Sequence, residues 1–214
     1  SLIYAVVVSP RARPMPVQER RLAIITAAIP RLIEQGPSVS TRDVAAAAGI
    51  AEGTLFRVFE TKEALIDAAV EAALDPEPAC TEIRAVDPGR PLEQRLAAAI
   101  RIMHRRIREL ADLMMAMRLR HGSRSDADMK GQHAKQMERT QTMLDAIMSL
   151  LGDDAQQMRT SPETAARYVW AMTFLTGHPM MQPDPMVDID DLVDVMLHGL
   201  TKTTHTPPPR ESPC

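Results

Sequence analysis

Residues 41–60 read Thr41-Arg42-Asp43-Val44-Ala45-Ala46-Ala47-Ala48-Gly49-Ile50-Ala51-Glu52-Gly53-Thr54-Leu55-Phe56-Arg57-Val58-Phe59-Glu60. Two short helices that cross steeply need a small residue where their backbones approach, and Ala45 supplies it. They need a residue that turns the chain sharply, and Gly49 follows four positions later. Apolar residues must join the pair to the preceding helix, and Val44, Ile50, Leu55 and Val58 fall at suitable places. Any αα-hairpin in a helical bundle meets the first two demands, so Ala45 and Gly49 alone do not separate a helix-turn-helix from ordinary packing.

Outward from this stretch the pattern stays helical. Upstream, Leu22, Ile25, Ile29, Leu32 and Ile33 recur at three- and four-residue steps and predict an amphipathic helix over 17–35. Pro30 inside it lacks the N–H that would bond back to Thr26, so a kink is expected there. The motif itself predicts short helices over 41–48 and 52–59. A third follows over 62–74, with Thr61 as its N-cap and Glu63 near the positive end of its dipole. The stretch 75–90, with Pro76, Pro78, Pro88 and Gly89, reads as a connection between two modules. Longer helices are expected over 91–110, 111–121, 126–151, 162–176 and 188–200. Ser161-Pro162 caps the fourth of these, and Asp188, Asp190 and Asp191 fill the first turn of the last. Gly36, Gly49, Gly89, Gly122, Gly152 and Gly177 each close a helical stretch, as residues that tolerate the left-handed conformation do.

Composition agrees with this pattern. Aromatics are 3% of 214 residues while methionine supplies 15 of them, a balance that favours helix over sheet. The expected fold is all-α. An N-terminal three-helix domain with the helix-turn-helix precedes a C-terminal helical bundle, about nine helices in all. The net charge of -3 neither favours nor opposes a polyanionic partner, because one basic face can sit on an acidic body. Cys80 and Cys214 form no disulfide framework and suit a reducing compartment. No apolar run reaches the roughly 18 residues of a membrane span, and the apolar opening Leu2–Val8 lacks the basic flank of a signal peptide. A cytoplasmic protein without membrane contact is expected. Residues 1–15 read as a flexible segment, 16–75 as the helix-turn-helix domain and 76–204 as the second domain. The proline-rich 205–214 reads as a disordered tail.

The sequence resembles the tetracycline-repressor (TetR) family of bacterial regulators. The resemblance lies in Ser40-Thr41-Arg42-Asp43-Val44-Ala45, Ala48-Gly49-Ile50, Gly53-Thr54-Leu55-Phe56-Arg57-Val58-Phe59 and Thr61-Lys62-Glu63-Ala64-Leu65. It covers about residues 18–70. It implies a DNA-binding transcriptional regulator, usually a repressor, that binds a palindromic operator as a homodimer and is released by a small molecule. Carried over residue by residue, 52–58 is the recognition helix of the major groove. Gly53 lets its backbone approach phosphate, and Thr54 donates a hydroxyl to one. Arg42 and Arg57 are candidates for reading base edges, since guanidinium bonds guanine bidentately. Lys62 holds a phosphate beside a helix N-terminus. Ser40 and Thr41 cap the first helix of the motif and reach backbone oxygens. The chain departs from the family pattern at Phe56, where tyrosine is frequent, and at Val58, where histidine or tyrosine is frequent. Phe56 is a DNA-facing candidate whose missing hydroxyl also suits a core position. Glu52 is acidic where DNA is faced; it either accepts from a cytosine amino group or repels phosphate.

For the C-terminal domain the same resemblance implies a variable helical body that binds the small molecule and dimerises. Methionine adapts to varied apolar ligands, and Met103, Met114, Met115, Met117, Met137, Met143, Met172 and Met180 fall in the central helices as a group suited to a cavity, Met103, Met114, Met117 and Met137 foremost. With His104, His121, Trp170 and Phe174 they are the candidate ligand-binding residues, although ordinary core packing explains each singly. Arg101, Arg105, Arg106 and Arg108 spread around a helix as a solvated face, with Glu109 in reach of Arg105; with Arg118 and Arg120 they alternatively meet an acidic ligand. The apolar faces of 165–174 and 189–200 are expected to pair with their symmetry mates as a four-helix bundle. Enzymatic chemistry finds no support. Glu-x-x-His occurs nowhere, the six histidines are scattered without metal-ligand spacing, and no glycine loop or nucleophile motif is present. No cofactor is expected.

Overall fold

The computed structural model describes residues 16–117, 126–181 and 187–200. The expectations for 1–15, for 205–214, and for Arg118, Arg120, His121 and Gly122 lie outside them. Within the described residues every regular element is helical. The α-helices are α1 (Val17–Gln35), α2 (Thr41–Ala47), α3 (Glu52–Leu55), α4 (Lys62–Leu74), α5 (Glu77–Arg84), α6 (Leu92–Met117), α7 (Asp126–Leu151), α8 (Pro162–Gly177) and α9 (Ile189–Leu200). The chain divides into two compact units, Ser1–Ala72 and Ala73–Cys214, so the division falls near the end of α4.

The first unit is built on α1, which runs on through Pro30 without ending there. Ile24, Ile25, Ala28 and Leu32 are its buried residues, whereas Leu22 is 62% exposed. The buried stripe therefore includes Ile24 and Ala28, which stay on one face with Leu32, and leaves out Leu22. Short Gly36–Ser38 closes the helix, with Gly36 at φ 57°. Ser40 caps α2 by accepting from the Asp43 N–H, and Thr61 caps α4 by accepting from Ala64. Val39, Val44, Ala45, Leu55, Phe59, Leu65, Ile66 and Ala69 are the other buried hydrophobic residues of this unit. Arg21 of α1 lies over the Phe59 ring, 4.4 Å from its centroid, a cation–π contact that fixes the chain beyond α3.

The second unit corrects two expectations from the sequence. The stretch 75–90 is no plain connection: Pro76 and Asp75 start α5, whose Ala79, Cys80 and Ile83 are buried in the core. Proline at a helix start costs nothing, because the missing N–H has no acceptor there. Residues 91–110 and 111–121 are not two helices either. Nothing between Leu110 and Asp112 breaks a helix, and α6 continues to Met117. One helix joined and one added leave the expected total of nine unchanged among the described residues. The core gathers Leu96, Ile100 and Met103 of α6, Leu144, Ile147 and Leu151 of α7, Ala165, Ala166 and Val169 of α8, and Leu192, Val193 and Met196 of α9. At its edge the buried Arg95 donates to the Leu150 and Arg90 carbonyls and to the Asp154 carboxylate. These bonds satisfy a guanidinium that burial would otherwise penalise heavily. Asp188 caps α9 from outside, accepting from Asp190 and Asp191.

Gly177 departs from the helix-end expectation. Its φ is not positive, and a Cβ there would stand 2.5 Å from His104 Cδ2. It is a glycine for want of space, where α8 meets the buried His104 of α6. Gly49 and Gly152, by contrast, take φ of 68° and 52°. No helix among the described residues is long and apolar enough to cross a membrane.

Candidate nucleic-acid interface

The turn between α2 and α3 is set by backbone geometry. Gly49 sits at φ 68° with open space where a Cβ would be, so conformation alone demands glycine there. The Ile50 N–H then returns to the Ala45 carbonyl at 2.9 Å, and Ala45 is buried where the small residue is needed. Val44 and Leu55 are fully buried, so both helices are anchored from beneath. Their outer faces are left to solvent.

Those outer faces carry the residues singled out from the sequence. Arg42, Glu52, Gly53, Phe56 and Arg57 are exposed, and Ser40, Thr41, Thr54 and Lys62 are half-buried. Arg42, Arg57 and Lys62 make no ion pair among the described residues, so their charges are available to a partner. Gly53 is instructive. A Cβ would meet nothing within 4 Å and its φ is not positive. Nothing inside the chain asks for glycine, although alanine would favour the helix by about 0.5–1 kcal/mol.

Two expectations change here. Thr41 does not cap α2, because Ser40 already does; its hydroxyl donates instead to Glu52 Oε1 at 2.6 Å. Phe56 is 44% exposed and so is not core. Its ring stands at the surface just past α3, where an apolar group suits a thymine methyl or a sugar. Val58 is half-buried and serves packing.

The second unit holds a cavity of about 310 Å³, of a size and lining usual for small-molecule sites. Its walls are mainly apolar: Met103, Ile107, Leu110 and Met114 of α6, Met143 of α7, and Trp170 and Phe174 of α8. Trp170 and Phe174 form a tilted pair with centroids 5.9 Å apart. Of the ligand candidates, Met103, Met114, Trp170 and Phe174 line this space and three others do not. His104 is buried behind it, its Nε2 3.0 Å from the Thr176 hydroxyl; burial, and then the neighbouring Arg108 charge, hold its pKa below the ordinary imidazole range. Met117 points into the core, and Met137 is 62% exposed on α7. Helical spacing placed these methionines on helices but not around one void. Met143, of the same methionine group, also lines it, whereas Ile107 and Leu110 were missed because an aliphatic cavity wall and an aliphatic core look alike in sequence.

The arginine run of α6 is also resolved. Arg101 pairs with Asp190 at 3.2 Å, and Arg105 pairs with Glu82 at 2.6 Å rather than with Glu109. Arg106 lines the cavity and donates to the Ala73 carbonyl and, at 2.8 Å, to that of Asp75. It thereby holds the last turn of α4.

Comparison with known proteins agrees with this geometry. Residues 24–69 match the family model described as bacterial regulatory proteins, tetR family. The fold is similar to that of Salmonella enterica GusR, at 24% identity and a TM-score of 0.55, covering 91% of this chain and all of that one. A putative TetR-family transcriptional regulator from Mesorhizobium loti aligns at 19% identity and a TM-score of 0.56, over 87% of this chain and 99% of the other. A TetR transcriptional regulator from Streptomyces coelicolor aligns at 22% identity and a TM-score of 0.52, over 85% and 98%. The match over residues 24–69, the left-handed turn at Gly49 and the exposed outer face of α3 lead to one assignment: this part of the chain is the N-terminal DNA-binding domain of the bacterial tetR regulatory proteins.

Proposed function

We propose that two copies of this chain bind a palindromic operator, each laying α3 in a major groove, and that a small apolar molecule in the cavity of the second unit releases them. Repression follows from occupancy of the operator. Residues 16–75 carry the DNA contacts, and 76–204 the sensor and the dimer face. The observation that carries the reading is Gly53. A helix-weakening residue with free space around it, flanked by Arg42, Arg57 and Lys62 that form no ion pair among the described residues, fits a backbone that must come close to phosphate.

Dimerisation is supported by what the core leaves over. The α8 residues Ala165, Ala166 and Val169, and the α9 residues Leu192, Val193, Met196 and Leu197, are buried within their own unit. The expected pairing faces are therefore narrower than the sequence suggested. Tyr168 and Leu175, two helical turns apart on α8, remain 53% exposed, and Val195 of α9 remains 60% exposed. Exposed apolar residues left on α8 and α9 suit a two-fold four-helix contact.

Ligand control works by linkage: a molecule that favours a form with misplaced DNA-binding helices weakens operator binding by the same factor. Arg106 offers a physical route, because it faces the cavity and also grips the end of α4. Footprinting on the operator tests the arrangement. Two symmetric protections about 10–10.5 base pairs apart are expected, together with release when an apolar ligand alters the fluorescence of Trp170, the chain's one tryptophan. A single protected half-site, or a ligand that changes Trp170 emission without changing DNA affinity, contradicts it.

A further inference from the structure

The geometry points to Glu52, held in place by Thr41, as the residue that selects a cytosine in each operator half-site. This rests on the reading that α3 enters the major groove. Glu52 is the first residue of α3, exposed, with no cationic partner among the described residues. One of its oxygens accepts the Thr41 hydroxyl at 2.6 Å across the turn from α2. The bond restrains a side chain that would otherwise swing freely, and it leaves the second oxygen open. It also occupies the Thr41 proton, so Thr41 acts as a positioning residue and not as a phosphate donor.

A carboxylate offers acceptors and no donor. Against phosphate, or against the O6 and N7 of guanine, it is repelled. Thymine presents another acceptor, O4. Adenine presents a donor at N6, but its N7 acceptor stands beside it. Cytosine alone presents an amino donor with no acceptor on its major-groove edge. A negative group at the leading position of a DNA-facing helix is thus compatible with tight binding at one base only. The wrong base leaves the carboxylate unpaired in a negative groove.

The test is selection of binding sites from a random duplex library by the full chain, with wild type, Glu52→Gln and Thr41→Val. Wild type is expected to fix a cytosine at one position of each half-site. Glu52→Gln should move that position towards adenine, which an amide bonds bidentately, changing the cytosine-to-adenine ratio about tenfold or more. Thr41→Val should keep cytosine but lower its discrimination several-fold, because the carboxylate is no longer restrained. If Glu52→Gln binds every sequence more tightly by one factor, with unchanged preference, Glu52 faces phosphate and the assignment is wrong. If Thr41→Val leaves discrimination untouched, the positioning role is wrong. If wild type enriches no half-site at all, the groove-docking reading fails first and this inference with it.

Discussion

Replacing Gly53 with alanine separates folding from function. In the free protein the added methyl meets nothing within 4 Å, and the backbone is not in the left-handed region. The unfolded chain loses freedom, so the folded state gains about 0.5–1 kcal/mol. With α3 docked in the groove as proposed, the same methyl would lie between backbone and phosphate. Forcing a methyl into a close contact costs roughly 1–3 kcal/mol, which corresponds to roughly a 5- to 150-fold rise in Kd. Urea unfolding and fluorescence anisotropy on the same preparation read the two quantities, which should move in opposite directions. Gly49→Ala is the control: at φ 68° it costs about 1–2 kcal/mol of fold stability, and binding falls along with folding. If Gly53→Ala binds DNA as tightly as wild type, the close approach at α3 does not exist.

Gly177→Ala, by contrast, drives a methyl against the buried His104 ring and should cost roughly 1–3 kcal/mol in urea unfolding; a neutral result means the α6–α8 approach is looser than described. Lys62→Ala should weaken binding to all duplexes alike and flatten the plot of log affinity against log salt by about one unit; a loss of sequence preference with the slope intact contradicts a phosphate role. Arg57→Ala should cost roughly 1–3 kcal/mol at the operator and relax preference at one base pair per half-site, which a panel of operator variants measures. The lowered pKa of His104 means that the folded state resists a proton the unfolded chain accepts. Its contribution is therefore complete above about pH 6.5 and is lost as pH falls below that; a His104 contribution that grows on acidification, measured against His104→Leu, reverses the sign and refutes the argument.

Much of the first unit was legible because its local rules agree with one another. Ser40, Thr61 and Gly49 each announce a cap or a turn, and their neighbours are buried or exposed as the spacing requires. The second unit was less legible. The prolines Pro76 and Pro78 suggested a linker, yet proline begins α5 without penalty, and Cys80 and Ile83 bury its inner face. Leu110-Ala111 carries no stop signal, and α6 ran on. Gly177 showed the same letter as a helix-ending glycine, but its reason is His104, 73 positions away in sequence. Long-range proximity of that kind leaves no local mark. The same holds for the cavity, where Met103, Met114 and Met143 could be named and Ile107 and Leu110 could not. At the DNA face the residue types were readable, while the bond between Thr41 and Glu52 depended on how steeply α2 and α3 cross.

The central claim is that the turn at Gly49 aims α3 at DNA. Anisotropy with labelled duplexes from the gene's own flanking region, against scrambled duplexes of equal length, tests it at low and near-physiological salt without any effector. A Kd at least about a thousandfold tighter for one native duplex near physiological salt is predicted. Equal affinity for native and scrambled DNA at every salt concentration contradicts the account.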